Sequence, residues 1–300
     1  MSLLVVGTVA FDTIETPLGK EDKILGGAAT YTCVTSSYFT SPNIVSIVGY
    51  DFPQEHIEKF KEHNINLLGL EYHETEKTFF WEGKYRDDMN VRDTIDTQLN
   101  VLEFFNPIIP EVHLKSNYIM LGNVIPSVQL KVLSQLNNKS ALVAVDTMNL
   151  WIENAYEDLI QVIRQVDILM INDQEIQQLQ NVNDIEKAVQ KTFSLGPSFI
   201  IVKRGSEGSI IFSKEEQYIC PAVKINDVID PTGAGDCFAG GFMGYLSSTK
   251  NHSFDNMKKA VCWGTVMASF CVQGFGTKTI LNLKEEIYLK RFNENFRQIS

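Results

Sequence analysis

Short apolar runs alternate along this chain with longer segments of helical period. The runs Leu3–Val9, Ile44–Val48, Tyr118–Leu121, Leu142–Asp146, Ile168–Asn172 and Phe199–Lys203 are almost unbroken in hydrophobicity, as strands covered on both faces must be. Between them, Ala28–Phe39, Gln54–His63, Ser127–Asn137, Leu150–Gln165, Ile185–Leu195, Gly235–Leu246 and Phe254–Val272 repeat apolar positions at helical spacing. The alternation predicts a mostly parallel sheet with helices on both faces. Ligands of such sheets bind beyond the carboxyl ends of the strands. Asp146 and Asn172 fall at two of those ends.

One region departs from this pattern. Lys77 to Asp96 is aromatic and β-prone, with a turn-like Arg86–Asn90 and no helical period. Ala10–Ile24 is extended as well. Together they predict a small sheet apart from the main core; an ordinary hairpin insertion is the plainer account. No internal repeat, low-complexity tract or long linker divides residues 1–300.

Composition narrows the function. The formal net charge is −11, which argues against nucleic acid or an anionic membrane as partner. Cys33, Cys220, Cys237, Cys262 and Cys271 are scattered, without CxxC pairs, as expected of free thiols in a reducing cytosol. The histidines show no metal-ligand spacing. The first residues read as a strand, not a signal peptide, and Ala260 to Val272 is too short to span a bilayer. A cytoplasmic protein is expected.

The chemistry concentrates in Asp230-Pro231-Thr232-Gly233-Ala234-Gly235-Asp236, a turn that runs into an apolar helix. Glycines at a helix start let the backbone approach a ligand closely. The first amides of a helix lack intrahelical acceptors and favour an anion, above all a phosphate. Asp236 adds a carboxylate on the first helical turn, suited to deprotonating a hydroxyl that attacks phosphorus. A glycine-rich helix cap is the bland alternative.

This segment resembles the second signature of the ribokinase (PfkB) family of small-molecule kinases. The resemblance implies a ribokinase-like three-layer α/β/α sandwich with a small β-lid, formed here by residues of about 10–24 and 72–100. It makes the backbone of Gly233, Ala234 and Gly235 the anion hole and Asp236 the catalytic base. Gly7-Thr8-Val9-Ala10-Phe11-Asp12 looks like the family's substrate segment, with Asp12 hydrogen-bonding substrate hydroxyls; a turn aspartate after a strand is equally consistent. Gly26-Gly27-Ala28-Ala29 resembles the first signature, beside the substrate. Many relatives carry an Asn within the following helix, and Tyr31 stands there, either facing the acceptor or pointing into the core.

Asn172 and Glu175 resemble the family's Asn–Glu motif, which organises Mg²⁺ through water; simple helix capping is the competing account. Lys203, Gly205 and Gly208 match the segment that runs along ATP, where the first position is often Thr; a turn between strands also explains both glycines. Gly274 and Gly276 resemble the wall of the adenine pocket, to which Gly264 and Ala268 would add small residues. Asp230 and Thr232 match a monovalent-cation site that would take K⁺.

The expected protein is therefore an ATP- and Mg²⁺-dependent kinase that phosphorylates a hydroxymethyl group of a sugar or sugar-like molecule, and a homodimer through its lid. A nucleoside kinase is the alternative. A nicotinamide dehydrogenase fits poorly, because the first strand leads into Gly7-Thr8-Val9-Ala10 and not GxGxxG. A non-catalytic sugar sensor would not need Asp236. No GxxxxGK[ST] occurs, which excludes a P-loop enzyme.

Overall fold

A computed structural model describes residues 2–89 and 91–299. A sheet of nine strands crosses the molecule in the order Gln217–Cys220, Ser209–Phe212, Phe199–Lys203, Ile168–Asn172, Leu142–Asp146, Tyr118–Leu121, Leu3–Val6, Pro42–Gly49 and Asn66–His73. Seven of these pair in parallel; Ser209–Phe212 and Gln217–Cys220 close one edge by antiparallel hairpins. Successive residues of the first strand serve opposite cores. Leu3 and Val5 join one apolar cluster, and Leu4 and Val6 join the other. Period-two alternation with apolar residues on both sides is what a sheet between two helical layers requires.

The first cluster holds the Ala28–Ser36, Ala234–Thr249 and Phe254–Cys271 helices, with Phe242, Met267 and Trp263 among its buried side chains. Each large apolar side chain fully withdrawn from water contributes about 1.5–3 kcal/mol. The second cluster holds Leu159, Val162, Ile176 and Val189 from helices on the opposite face.

A second, four-stranded sheet lies apart, ordered Gly19–Gly26, Ala10–Thr16, Phe79–Tyr85, Arg92–Gln98. The strands Ala10–Thr16 and Phe79–Tyr85 pair in parallel, and each has an antiparallel neighbour outside it. At the outer hairpin, Arg86 N–H donates to the Val91 carbonyl at 3.0 Å. Of the turn expected at Arg86–Asn90, Asn90 lies outside the described residues.

Several expected boundaries shift. The first strand ends at Val6, because Gly7 N–H turns to Val45 O and the Thr8 hydroxyl accepts the Ala28 amide. The helix expected over Leu150–Gln165 is two helices, Asn149–Asn154 and Tyr156–Ile163. The chain breaks at Ala155, where φ is −144°. The break turns Leu159, Val162 and Ile163 onto the sheet. The edge strand Asn66–His73 and the helix Glu285–Phe296 have weak apolar patterns and were not expected.

Candidate active site

The turn before the Ala234–Thr249 helix is built from both sides. The Asp230 carboxylate is fully buried and accepts the amide N–H groups of Thr232 at 2.8 Å and Gly276 at 3.0 Å. It thereby ties the turn to the Gln273–Thr277 loop. Gly233 takes the left-handed conformation, φ 75°, which L side chains rarely adopt. The Tyr31 ring lies directly beneath it. Tyr31 is buried, and its hydroxyl has no hydrogen-bond partner. The Thr32 hydroxyl donates to the Asp236 carbonyl at 3.2 Å, joining the Ala28–Ser36 helix to the same turn. Gly240 lets the two helices approach, since a Cβ there would enter Thr32 and Thr35.

Two carboxylates face this turn. Asp236 sits on its first helical residues, and its pKa is pushed up to about 7. Burial is the main cause and the Asp146 charge adds to it; Lys203 and Arg92 act in the opposite direction. Asp12, buried on the Ala10–Thr16 strand, is pushed up to about 8 by burial, then by the charges of Asp230 and Asp236. Arg92 and the Gly27 amide hold it down. Gly26 gives Asp12 its space: a Cβ on Gly26 would overlap the Asp12 carboxylate. Gly27, at φ 93°, starts the Ala28–Ser36 helix, and a Cβ there would stand 2.5 Å from Thr8 O.

Three neighbouring strands end on the other side of Asp236. Lys203 ends one and donates to both oxygens of Asp146, at 2.7 and 2.8 Å. Between them, Asn172 caps the Asp173–Gln180 helix. Its side chain accepts the Glu175 N–H at 2.7 Å, and the Glu175 carboxylate in turn accepts the Asn172 N–H at 3.1 Å. The capping account of this pair is thus realised. Burial raises the Glu175 carboxyl and Lys203 opposes that shift, so the residues share one electrostatic environment.

The expected residues separate into two groups that meet at Asp236. Asp12, Gly26, Gly27, Tyr31, Asp230, Thr232, Gly233 and Gly276 gather beside the small sheet. Asn172, Glu175 and Lys203 gather at the strand ends. Gly205 and Gly208, at φ 54° and 91°, turn the chain between antiparallel strands, and Gly208 packs on the Cys220–Ala222 backbone. Gly274 packs on Thr279. One expectation is corrected. Gly264 opens no space for a base, because its Cβ position is filled by Phe238 of the adjacent helix, 2.7 Å from the Phe238 carbonyl.

Sequence reading missed Arg92 and Tyr85. Arg92 starts the outer strand of the small sheet and lies 5.5 Å over the Trp81 ring. From there its charge reaches Asp12, Asp236 and Tyr85. Tyr85 accepts a hydrogen bond from the Thr232 hydroxyl at 3.0 Å. Nothing in the local sequence marks either residue, since both are defined by strand pairing.

The arrangement fits a phosphorylated ligand. The glycine backbone of the turn leaves room where side chains would intrude, and Lys203 stands 3.1 Å from the Cβ position of Gly235. Among the described residues, no three His, Cys, Asp or Glu side chains form a metal cage.

Residues 2–284 match the model of the pfkB family carbohydrate kinases. The chain belongs to this family. It is a phosphotransferase with an alcohol acceptor. The cytidine kinase of Thermococcus kodakarensis is 27% identical over 249 residues, covering 81% of this chain and 87% of that protein. The nucleoside kinase of Methanocaldococcus jannaschii is 29% identical over 264 residues, covering 86% and 82%. The crystal structure of the M. jannaschii nucleoside kinase superposes with a TM-score of 0.78 at 25% identity, over 98% of this chain and 99% of that one. A structure from E. coli described as a ribokinase II, solved with ATP and Mg²⁺, superposes with a TM-score of 0.80 at 18% identity, over 97% and 99%. The fold is ribokinase-like. Among the described residues, no helix is long and apolar enough to cross a membrane.

Proposed function

We propose that this kinase phosphorylates the hydroxymethyl group of a ribosyl acceptor, with Asp236 as general base. The observation that carries the reading is Asp236, held near neutral pKa beside a left-handed glycine turn at a helix start. A base poised near the working pH combines a usable ionised fraction with driving force for proton transfer. Asp236 takes the hydroxyl proton as the oxygen bonds to the γ-phosphorus of ATP. The bond from that phosphorus to the β-phosphate oxygen breaks, and ADP leaves with the electron pair. The amides at Gly233–Asp236 receive charge from the transferring group. Asn172 and Glu175 would hold a hydrated magnesium ion, which would neutralise further charge on the phosphates.

Asp12, with Gly26 and Gly27, holds the acceptor hydroxyls, and Tyr31 supports the turn from below. Lys203, Gly205 and Gly208 follow the nucleotide, and Gly274 and Gly276 close its far side. Asp230 and Thr232 offer oxygen ligands to K⁺. The small sheet acts as a lid over the acceptor and carries the homodimer contact through Phe79-Phe80-Trp81. Five free, buried cysteines support a cytoplasmic setting.

A nucleoside is favoured over a free sugar, because a cytidine kinase and a nucleoside kinase each align along more than four-fifths of the chain. ADP release measured with cytidine, adenosine, inosine, ribose and fructose tests this. A nucleoside should give the highest kcat/KM. Ribose or fructose used with higher specificity than every nucleoside would reject the acceptor assignment.

A further inference from the structure

Lys203 and Asp146 end two strands that flank Ile168–Asn172, and they meet across it. Both side chains are largely withdrawn from solvent, at 19% and 7% exposure. Asp146 also accepts the Thr147 amide at 3.1 Å, which fixes its orientation. The ammonium has three N–H donors, and Asp146 occupies two. The Lys203 nitrogen and an Asp146 oxygen stand 3.1 and 3.9 Å from the Cβ position of Gly235. A ligand lying against the Gly235 backbone would therefore lie beside this ion pair.

Stability does not explain the pair. Burial costs both ions dearly, and a buried ion pair is often matched or bettered by apolar residues of similar size. Its placement does have a chemical consequence. Lys203 also feels the charges of Glu175 and Asp236. Without Asp146, Asp236 is one of the two carboxylates left to attract the ammonium. A lysine paired with Asp236 would compete for the lone pairs that must take the hydroxyl proton.

We propose that Asp146 is a positioning residue that holds the Lys203 ammonium against Gly235 and away from Asp236, and that Lys203 there meets the transferring phosphoryl group. This rests on the kinase reading above. Lys203 has one function, to place a fixed positive charge where the γ-phosphate oxygens gather charge. Asp146 reaches the phosphoryl group only through Lys203; its separate effect on Asp236, whose carboxyl its charge raises, is removed by reading kcat on the alkaline plateau where Asp236 is ionised in every variant.

The test compares wild type, Lys203→Met, Asp146→Asn and the double variant in two assays. One is steady-state ADP release with the best acceptor. The other is equilibrium binding of ATP and of AMP without acceptor. Lys203→Met should lower kcat about 100-fold, the loss typical of one removed donor to a developing oxyanion, with acceptor KM within about threefold. It should weaken ATP about tenfold, as loss of one charge-assisted bond does, and AMP less than about twofold. Asp146→Asn should lower kcat about tenfold, and the double variant should be no slower than Lys203→Met alone. Losses that multiply in the double variant would show that Asp146 acts independently and would overturn the proposal. So would unchanged kcat in Lys203→Met, or ATP and AMP weakened equally. The double variant removes both charges of the pair and leaves neither without its partner, and its ATP-to-AMP contrast alone decides the Lys203 assignment. A wild type that releases no ADP with any acceptor overturns the kinase reading instead, and the binding contrast separates the two failures.

Discussion

A Cβ built on Gly233 would stand 2.6 Å from three carbons of the Tyr31 ring. The left-handed glycine of the turn and the buried tyrosine of the Ala28–Ser36 helix are thus one packed unit. Substituting Gly233 with Ala adds a left-handed non-glycine residue, at about 1–2 kcal/mol, to that overlap. Gly233→Ala should lose about 100-fold or more in kcat, because the displaced amides no longer face the transferring charge. Tyr31→Phe should keep or gain thermal stability, since the removed hydroxyl is buried without a partner. A drop of several degrees in Tm for Tyr31→Phe would show that the hydroxyl has a partner after all.

Activity should rise with pH through about 7, as Asp236 ionises. Asp236→Asn should cut kcat about 100-fold or more while the fold persists. Near-normal turnover by this variant would remove Asp236 from the role of base.

Stability should run the opposite way. Asp12 and Asp236 both have folded pKa values raised above the ordinary 3.8, to about 8 and about 7. Between those limits the folded chain holds protons that the unfolded chain has lost. Their contribution is therefore complete below about pH 4 and is lost as pH rises to about 8. Denaturant melts from pH 5 to 8 should show wild type losing more stability than Asp12→Asn does. Parallel curves for the two proteins would contradict the raised Asp12 pKa.

Glu175→Gln keeps a side chain able to complete the capping box and removes its charge. It should raise the Mg²⁺ concentration for half-maximal rate with little change in Tm. Asn172→Ala loses the cap itself, at about 1 kcal/mol, and should lower Tm as well. An unchanged Mg²⁺ profile in Glu175→Gln would leave helix capping as the whole account of this motif.

Potassium should accelerate turnover relative to sodium at equal ionic strength. Asp230 uses each oxygen for one amide, which leaves lone pairs for a cation. Equal rates in the two salts would remove Asp230 and Thr232 from any cation site.

The sequence by itself determined the layered α/β core. Tyr118–Leu121, Leu142–Asp146, Ile168–Asn172 and Phe199–Lys203 were legible to the residue, because strands buried on both faces read as unbroken apolar runs that stop at the first polar residue or turn. The Gly233–Asp236 turn was legible for a similar reason: its backbone conformation and its chemistry both depend on residue type. Edge elements such as Asn66–His73 were not, since one exposed side erases the apolar run. Tertiary structure alone decided the partners. It set Tyr31 beneath Gly233, paired Lys203 with Asp146 across 57 residues, and brought Arg92 from a second sheet to Asp12 and Asp236. Those relationships depend on strand order and register, which local propensity does not encode. Charge interactions then act through space across them.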